Sequence, residues 1–235
     1  VRVEMIAVKE DLDPRSHVKA DPPYEGKELL PVLKLNAIHS YWTERYPYHY
    51  LASVFVRRDN PLALVKLTLG SQEWCGNTFK EVKAWTRPAE LVFHSYWDAE
   101  GDGAQALDLA PGDLLEDQLP ISLRGLRFAP GLRLRTRLLP TLISDNLRGP
   151  LGFVDAEIYV VGRETLAMPS SRRLAWRVEV VAGRLTQTYW FASAAPHELL
   201  KMESSDGRAL VLKQLTRKPY WLVPTYGPSD GRRPG

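Results

Sequence analysis

The sequence predicts a mainly β protein: a strongly curved antiparallel sheet or incomplete barrel of about ten strands with one covering helix. Two observations carry that expectation. Apolar and polar residues alternate with period two in one short run after another, as half-buried strands require. Glycine, proline, asparagine and aspartate punctuate the runs at short intervals, and no fixed-period repeat stands out to suggest a propeller or solenoid.

Val1–Val8 opens the chain as a strand, and Lys9–Leu30, rich in charge and proline, reads as a loop. Leu33, Leu35 and Ala37 alternate with Lys34, Asn36 and Ile38 as a second strand, followed by an aromatic run of Tyr41, Trp42, Tyr46, Tyr48 and Tyr50. Leu51–Arg58 and Leu62–Leu69 flank a turn at Asp59-Asn60-Pro61. Thr78–Trp85 and Glu90–Trp97 follow, broken by Arg87-Pro88, and Asp98–Gly103 has the composition of an acidic turn. Pro111–Arg124 is the one helical segment. Its Leu115, Leu119 and Leu123 fall four apart, Asp113, Glu116, Asp117 and Gln118 take the other face, and Pro120 kinks or splits it. Leu132–Leu139, Phe153–Arg163, Leu174–Val181, Leu185–Phe191, Leu199–Ser204 and Ala209–Thr216 form a closing meander, with tight turns at Ala182-Gly183 and Asp206-Gly207.

These elements read as one β domain over residues 1–223, divisible into sub-sheets over 1–110 and 126–223 joined by the helix at 111–124, with a flexible tail at 224–235. The 31 Lys+Arg nearly balance 28 Asp+Glu, giving a net charge of +3 and no general field for nucleic acid. A single cysteine excludes an internal disulfide and a multi-cysteine metal site. No apolar run is long enough for a transmembrane helix. Because the chain opens mid-strand, a preceding segment carrying any targeting signal is expected to be missing.

Motif by motif, enzymes fare poorly. His197-Glu198 begins a zinc-protease pattern, but Lys201 stands where the second histidine belongs. Asp98, Glu100, Asp102 and Gly103 resemble the opening of a calcium loop, yet Leu109 holds the place of the bidentate glutamate, so an acidic hairpin tip is expected and no metal or cofactor. No phosphate-cradling loop or G-x-S-x-G elbow occurs. Cys75 could serve as a thiolate nucleophile with Glu73 beside it and His94, His49 or His39 as base. The competing reading is a buried structural cysteine in a turn, with Trp74 packed in the core. Arg133, Arg135 and Arg137 share one strand face and could form an anion site, against the alternative of a solvated, charge-paired face. Trp42, Tyr46, Tyr48 and Trp74 are the aromatic ligand-binding candidates, although most of the seven tryptophans are expected in the core.

Val32-Leu33-Lys34-Leu35-Asn36, Tyr46-Pro47-Tyr48, Ser71-Gln72-Glu73-Trp74-Cys75-Gly76 and His94-Ser95-Tyr96-Trp97 together resemble an uncharacterised group of bacterial envelope proteins, some labelled septum formation inhibitors. Trp176–Thr216 is similar to the closing meander of a broader family of unknown function with export signals, itself similar to curved-sheet lipoprotein carriers. The resemblance implies an exported, periplasmic bacterial β-protein and assigns no activity. The combined expectation is a non-enzymatic domain that holds a lipid, another amphiphile or an envelope-protein segment on its concave face. The alternatives are a Cys75-dependent hydrolase or transferase, and an envelope scaffold that binds protein along a sheet edge.

Overall fold

The computed structural model describes residues 1–146, 151–169 and 171–219; the tail expected at 224–235 lies outside them. The fold is mainly β, with one strongly curled half-barrel and a single short helix. The first sheet is an antiparallel meander of seven strands in chain order: β1 (Arg2–Leu12), β2 (Leu30–Trp42), β3 (Pro47–Arg57), β4 (Leu64–Gln72), β5 (Asn77–Lys83), β6 (Ala89–His94) and β7 (Asp102–Leu107). The second sheet is also seven-stranded. It begins with the two-residue β8 (Leu114–Leu115), which lies parallel to β9 (Arg133–Leu139). β10 (Val154–Met168), β11 (Ser171–Ala182), β12 (Leu185–Ala192), β13 (Leu199–Ser204) and β14 (Ala209–Val211) then continue as an antiparallel meander. The described residues thus hold fourteen strands rather than about ten.

Register explains why the first sheet holds. Leu35, Val54, Leu67, Val82 and Leu91 stand opposite one another across β2 to β6, none more than 3% exposed. Burying each such side chain contributes roughly 1.5–3 kcal/mol, and a one-residue slip would turn the whole row outward. The hairpin turns at Gly183 and Gly207 adopt φ of +58° and +90°, a backbone region that glycine enters without steric cost.

The expected helix is corrected. Only α1 (Leu119–Ser122) is α-helical, with 3-10 turns at Glu116–Gln118 and Leu123–Gly125. The segment lies between the two sheets and must be apolar toward both. Leu115 and Ile121 pack with the first sheet, while Leu114, Leu119, Leu123 and Leu126 pack on the second. A spacing of four satisfies only one of those surfaces. Together with Leu139, Leu142, Leu151 and Phe153, this segment fills the inner face of the first sheet with side chains, so the interior is a core rather than a partly empty hollow.

A polar chain crosses that core. Glu116 accepts hydrogen bonds from Gln187 Nε2 (2.9 Å) and the Thr141 amide (3.1 Å), and pairs with Arg208 at 2.8 Å. Asp117 accepts from Thr141 Oγ1 (2.5 Å) and the Leu142 amide (2.8 Å); burial pushes its carboxyl up to about 6. Lys80 of β5, only 1% exposed, donates to the carbonyls of Leu142 (3.0 Å), Ser144 (2.9 Å) and Asn146 (2.8 Å). Three donors meet three acceptors, which is what a buried ammonium requires. Burial still lowers its pKa to about 8.

Candidate functional site

Three neighbouring hairpins, β2–β3, β4–β5 and β6–β7, turn at the same end of the first sheet. Thr43 closes the first: its Oγ1 donates to the Tyr46 carbonyl at 2.8 Å and its amide reaches the same oxygen at 3.1 Å. The second is a tight turn with the Glu73 amide donating to the Gly76 carbonyl at 3.2 Å. The third is longer. There the Ser95 hydroxyl donates to Glu100 at 2.6 Å, the Trp97 amide donates to Ser95 Oγ at 3.2 Å, and Gly101 takes a φ of +60°.

On these tips the aromatic run becomes a column of stacked rings. Tyr41 lies on Tyr48 with centroids 5.0 Å apart and on Tyr50 at 6.2 Å; Tyr46 lies on Tyr48 at 5.2 Å, and Trp74 on Tyr46 at 5.9 Å. The column runs from Tyr50, which is 6% exposed, to Trp74, which is 74% exposed. Trp42, opposite Pro47 at the mouth of the first hairpin, is 75% exposed. The third hairpin joins through Gly76, where an added Cβ would sit 2.2 Å from the Tyr96 ring; that ring lies against the glycine backbone. Trp97 meets Tyr96 edge-on at 5.5 Å.

The polar groups at this rim stay in defined states. Hydrogen bonds to Tyr48 and Cys75 hold the Tyr46 phenol far above its ordinary pKa, and burial, with Tyr41 and the charges of Asp145 and Glu73, does the same for Tyr50. Both remain neutral hydroxyls at any physiological pH. His39, opposite Tyr50 in register, is pushed down by burial and is a neutral ring at neutral pH. The Glu73 carboxylate interacts with the Tyr48 hydroxyl and faces Tyr50, with its Oε2 turned away from solvent. Glu44, Glu73, Asp98, Glu100 and Asp102 make the three tips acidic against the single cation Arg45.

Cys75 is exposed on the second tip, and its thiol lies 3.5 Å from the Tyr46 hydroxyl. The reading of a buried cysteine beside a core tryptophan is corrected, because a turn of residues 73–76 carries both side chains beyond the last paired residues of β4 and β5. His94 is turned to Asp102 (3.3 Å) and stacks with Phe79, while His49 is held by Ser40 (2.9 Å). The structure brings Glu73 and Cys75 together on one turn but gives Cys75 a phenol, not an imidazole, as its polar neighbour.

The arginine candidates are spent on other partners. Arg137 bonds Asp113 and Asp108, at 2.5 and 2.8 Å, and those contacts hold its guanidinium protonated more firmly than usual. Arg133 pairs with Glu157 at 2.7 Å and stacks over Tyr159. Arg135 is largely exposed, with Glu157 at 4.0 Å. All three belong to the second sheet, away from the hairpin rim. The tryptophans also depart from expectation. Trp190 is buried, whereas Trp42, Trp74 and Trp97 are exposed.

Sequence reasoning missed Tyr41, Tyr96 and Trp97 as members of the rim. The signal was present: an aromatic cluster ends β2 and another ends β6, at the same end of an up-and-down meander. Among the described residues no cluster of His, Cys, Asp or Glu could hold a metal ion. Open depressions of about 410 Å³ beside Pro31, Arg57, Arg58 and Asp59 and about 270 Å³ beside Arg87 and Glu90 touch none of these aromatic residues. Comparisons with protein families, with curated proteins and with solved structures return no match for this chain.

Proposed function

We propose that this chain is a non-enzymatic binding domain that takes an amphiphilic ligand, or an amphiphilic segment of a partner, on the aromatic rim of the first sheet. Trp74 carries the reading: an indole three-quarters exposed at the end of a stacked column. Large aromatic rings left bare on adjoining tips mark an interaction site. The inner face of the first sheet is lined by core side chains, whereas the rim leaves Trp42, Trp74 and Trp97 uncovered. The resemblance to exported bacterial proteins adds a periplasmic location to this proposal.

Native mass spectrometry of the protein purified from its own host tests the reading. A bound molecule is expected with the unaltered chain and is lost in the double variant Trp42→Ala/Trp74→Ala. No bound molecule with the unaltered chain, or one that the variant retains, overturns it.

A further inference from the structure

The geometry points to a neutral, extended glycan as the ligand class, amphiphilic through the C–H faces and hydroxyl edges of its rings, its chain laid across the three hairpin tips; this inference rests on the binding reading above. Three features of the rim select it.

The rings are presented on open tips rather than in a groove. An acyl chain needs an enclosed apolar volume, and the volume behind this rim is filled by Leu142, Ile143, Leu151 and the inner-face residues. A pyranose is a flat, stiff unit with C–H bonds on its faces and hydroxyls at its edges. The C–H face carries slight positive charge and seats on the negative π face of an indole or phenol, which is what Trp74 offers.

Charge argues the same way. With Glu44, Glu73, Asp98, Glu100 and Asp102 against Arg45, the rim repels phosphate headgroups and nucleic acid. Carboxylates and neutral phenols are the groups that suit sugar hydroxyls: the former accept, and Tyr46 and Tyr48, whose oxygens lie 3.2 Å apart, both accept and donate. The Glu73 carboxylate stands among these phenols, against the Tyr48 hydroxyl and facing Tyr50.

Spacing is the third feature. Each hairpin contributes two strands, so neighbouring tips along the sheet recur about every 10 Å. That matches the disaccharide repeat of an extended β-linked chain, which turns the same face to its support once per repeat. Tyr46 with Trp74, and Gly76 with Tyr96 and Trp97, make the platform continuous from the first tip to the third.

Affinity electrophoresis of the full chain decides the matter, with soluble neutral β-linked glucan in one gel, sulfated dextran in a second, and flotation with phosphatidylcholine vesicles as a third arm. Retardation by the neutral glucan alone is expected, weakened about tenfold by Trp74→Ala. The melting temperature of the variant shows that it remains folded. Flotation with vesicles that Trp74→Ala abolishes overturns the glycan class while leaving the rim as the binding site. Glucan binding that Trp74→Ala does not weaken, or retardation by sulfated dextran alone, overturns the inference. Absence of binding in all three arms overturns it too, and the binding reading itself is decided separately by what the host-purified protein carries.

Discussion

Lys80 and Glu73 lie on the same hairpin and meet opposite treatment. Lys80 points into the core, and each of its three hydrogens reaches a carbonyl. Glu73, at the turn joining β4 to β5, stays half-exposed at the rim, its carboxylate against the Tyr48 hydroxyl. The same contrast holds for the indoles. Trp85, at the other end of the sheet, is stacked by His17 at 4.0 Å and overlaid by Lys66, whereas Trp74 has one face covered by Tyr46 and is otherwise bare. A chain that satisfies a lysine in its core and covers the indole at one end of a sheet leaves the indole at the other end bare, and the binding proposal rests on that asymmetry.

Lys80→Met should have the largest effect. It leaves three carbonyls without a donor and is expected to cost about 3 kcal/mol or more, read from the midpoint of urea denaturation. An unchanged midpoint would mean that the carbonyls find water and that the contrast with Glu73 is weaker than drawn.

The pH dependence of stability sharpens the comparison next. The folded state holds the Lys80 proton less tightly than an unfolded chain, about 8 against 10.5. Stability from this group is therefore present above pH 10.5 and lost as pH falls through about 8. Between those values the unaltered chain should gain stability relative to Lys80→Met, and parallel curves would show that Lys80 keeps an ordinary affinity for its proton. Asp117 runs the other way. Its pKa is raised from 3.8 to about 6, so its contribution is complete below pH 3.8 and disappears as pH rises through about 6; Asp117→Asn should flatten that slope.

A smaller cost, about 1 kcal/mol, is expected for Gly76→Ala, whose methyl group displaces the Tyr96 ring; thermal denaturation measures it. Trp74→Ala should come last, within about 0.5 kcal/mol of the unaltered chain. A large loss on that substitution would make Trp74 a structural residue and erase the distinction between rim and core.

Much of the fold is legible in the sequence because alternation reports directly on a half-buried sheet. The hairpin turns at Gly183 and Gly207 and most strands of both meanders are visible in this way. β7 is not: Asp102-Gly103-Ala104-Gln105-Ala106-Leu107 has small residues where a strand ordinarily shows branched or aromatic ones. The reason is local, since a Cβ at Gly103 would come within 2.7 Å of the Phe93 ring. The intersheet segment misleads for another reason. Leu115, Leu119 and Leu123 do recur at helical spacing, but they divide between two sheets, and tertiary packing overrides the period. Lys80 is hidden most thoroughly, since Thr78, Lys80 and Val82 share the inner face and nothing in their alternation announces that residues 142–146 will return to bond an ammonium there. The rim is half legible: its aromatics are plain in the sequence, and their exposure is not, because a tryptophan in or beside a strand is ordinarily a core residue.

The intersheet segment also sets an order of events during synthesis. By residue 107 all seven strands described for the first sheet have been made, each paired with a neighbour in sequence, but the leucines and valines of its inner row await Leu115, Ile121, Leu139, Leu142, Leu151 and Phe153. A nascent chain stalled between those points would show a sticky wall to the cytosol or to a translocation machinery, and halting translation there should produce aggregates that holdase chaperones prevent. The protein therefore depends on its middle being made promptly after its first half.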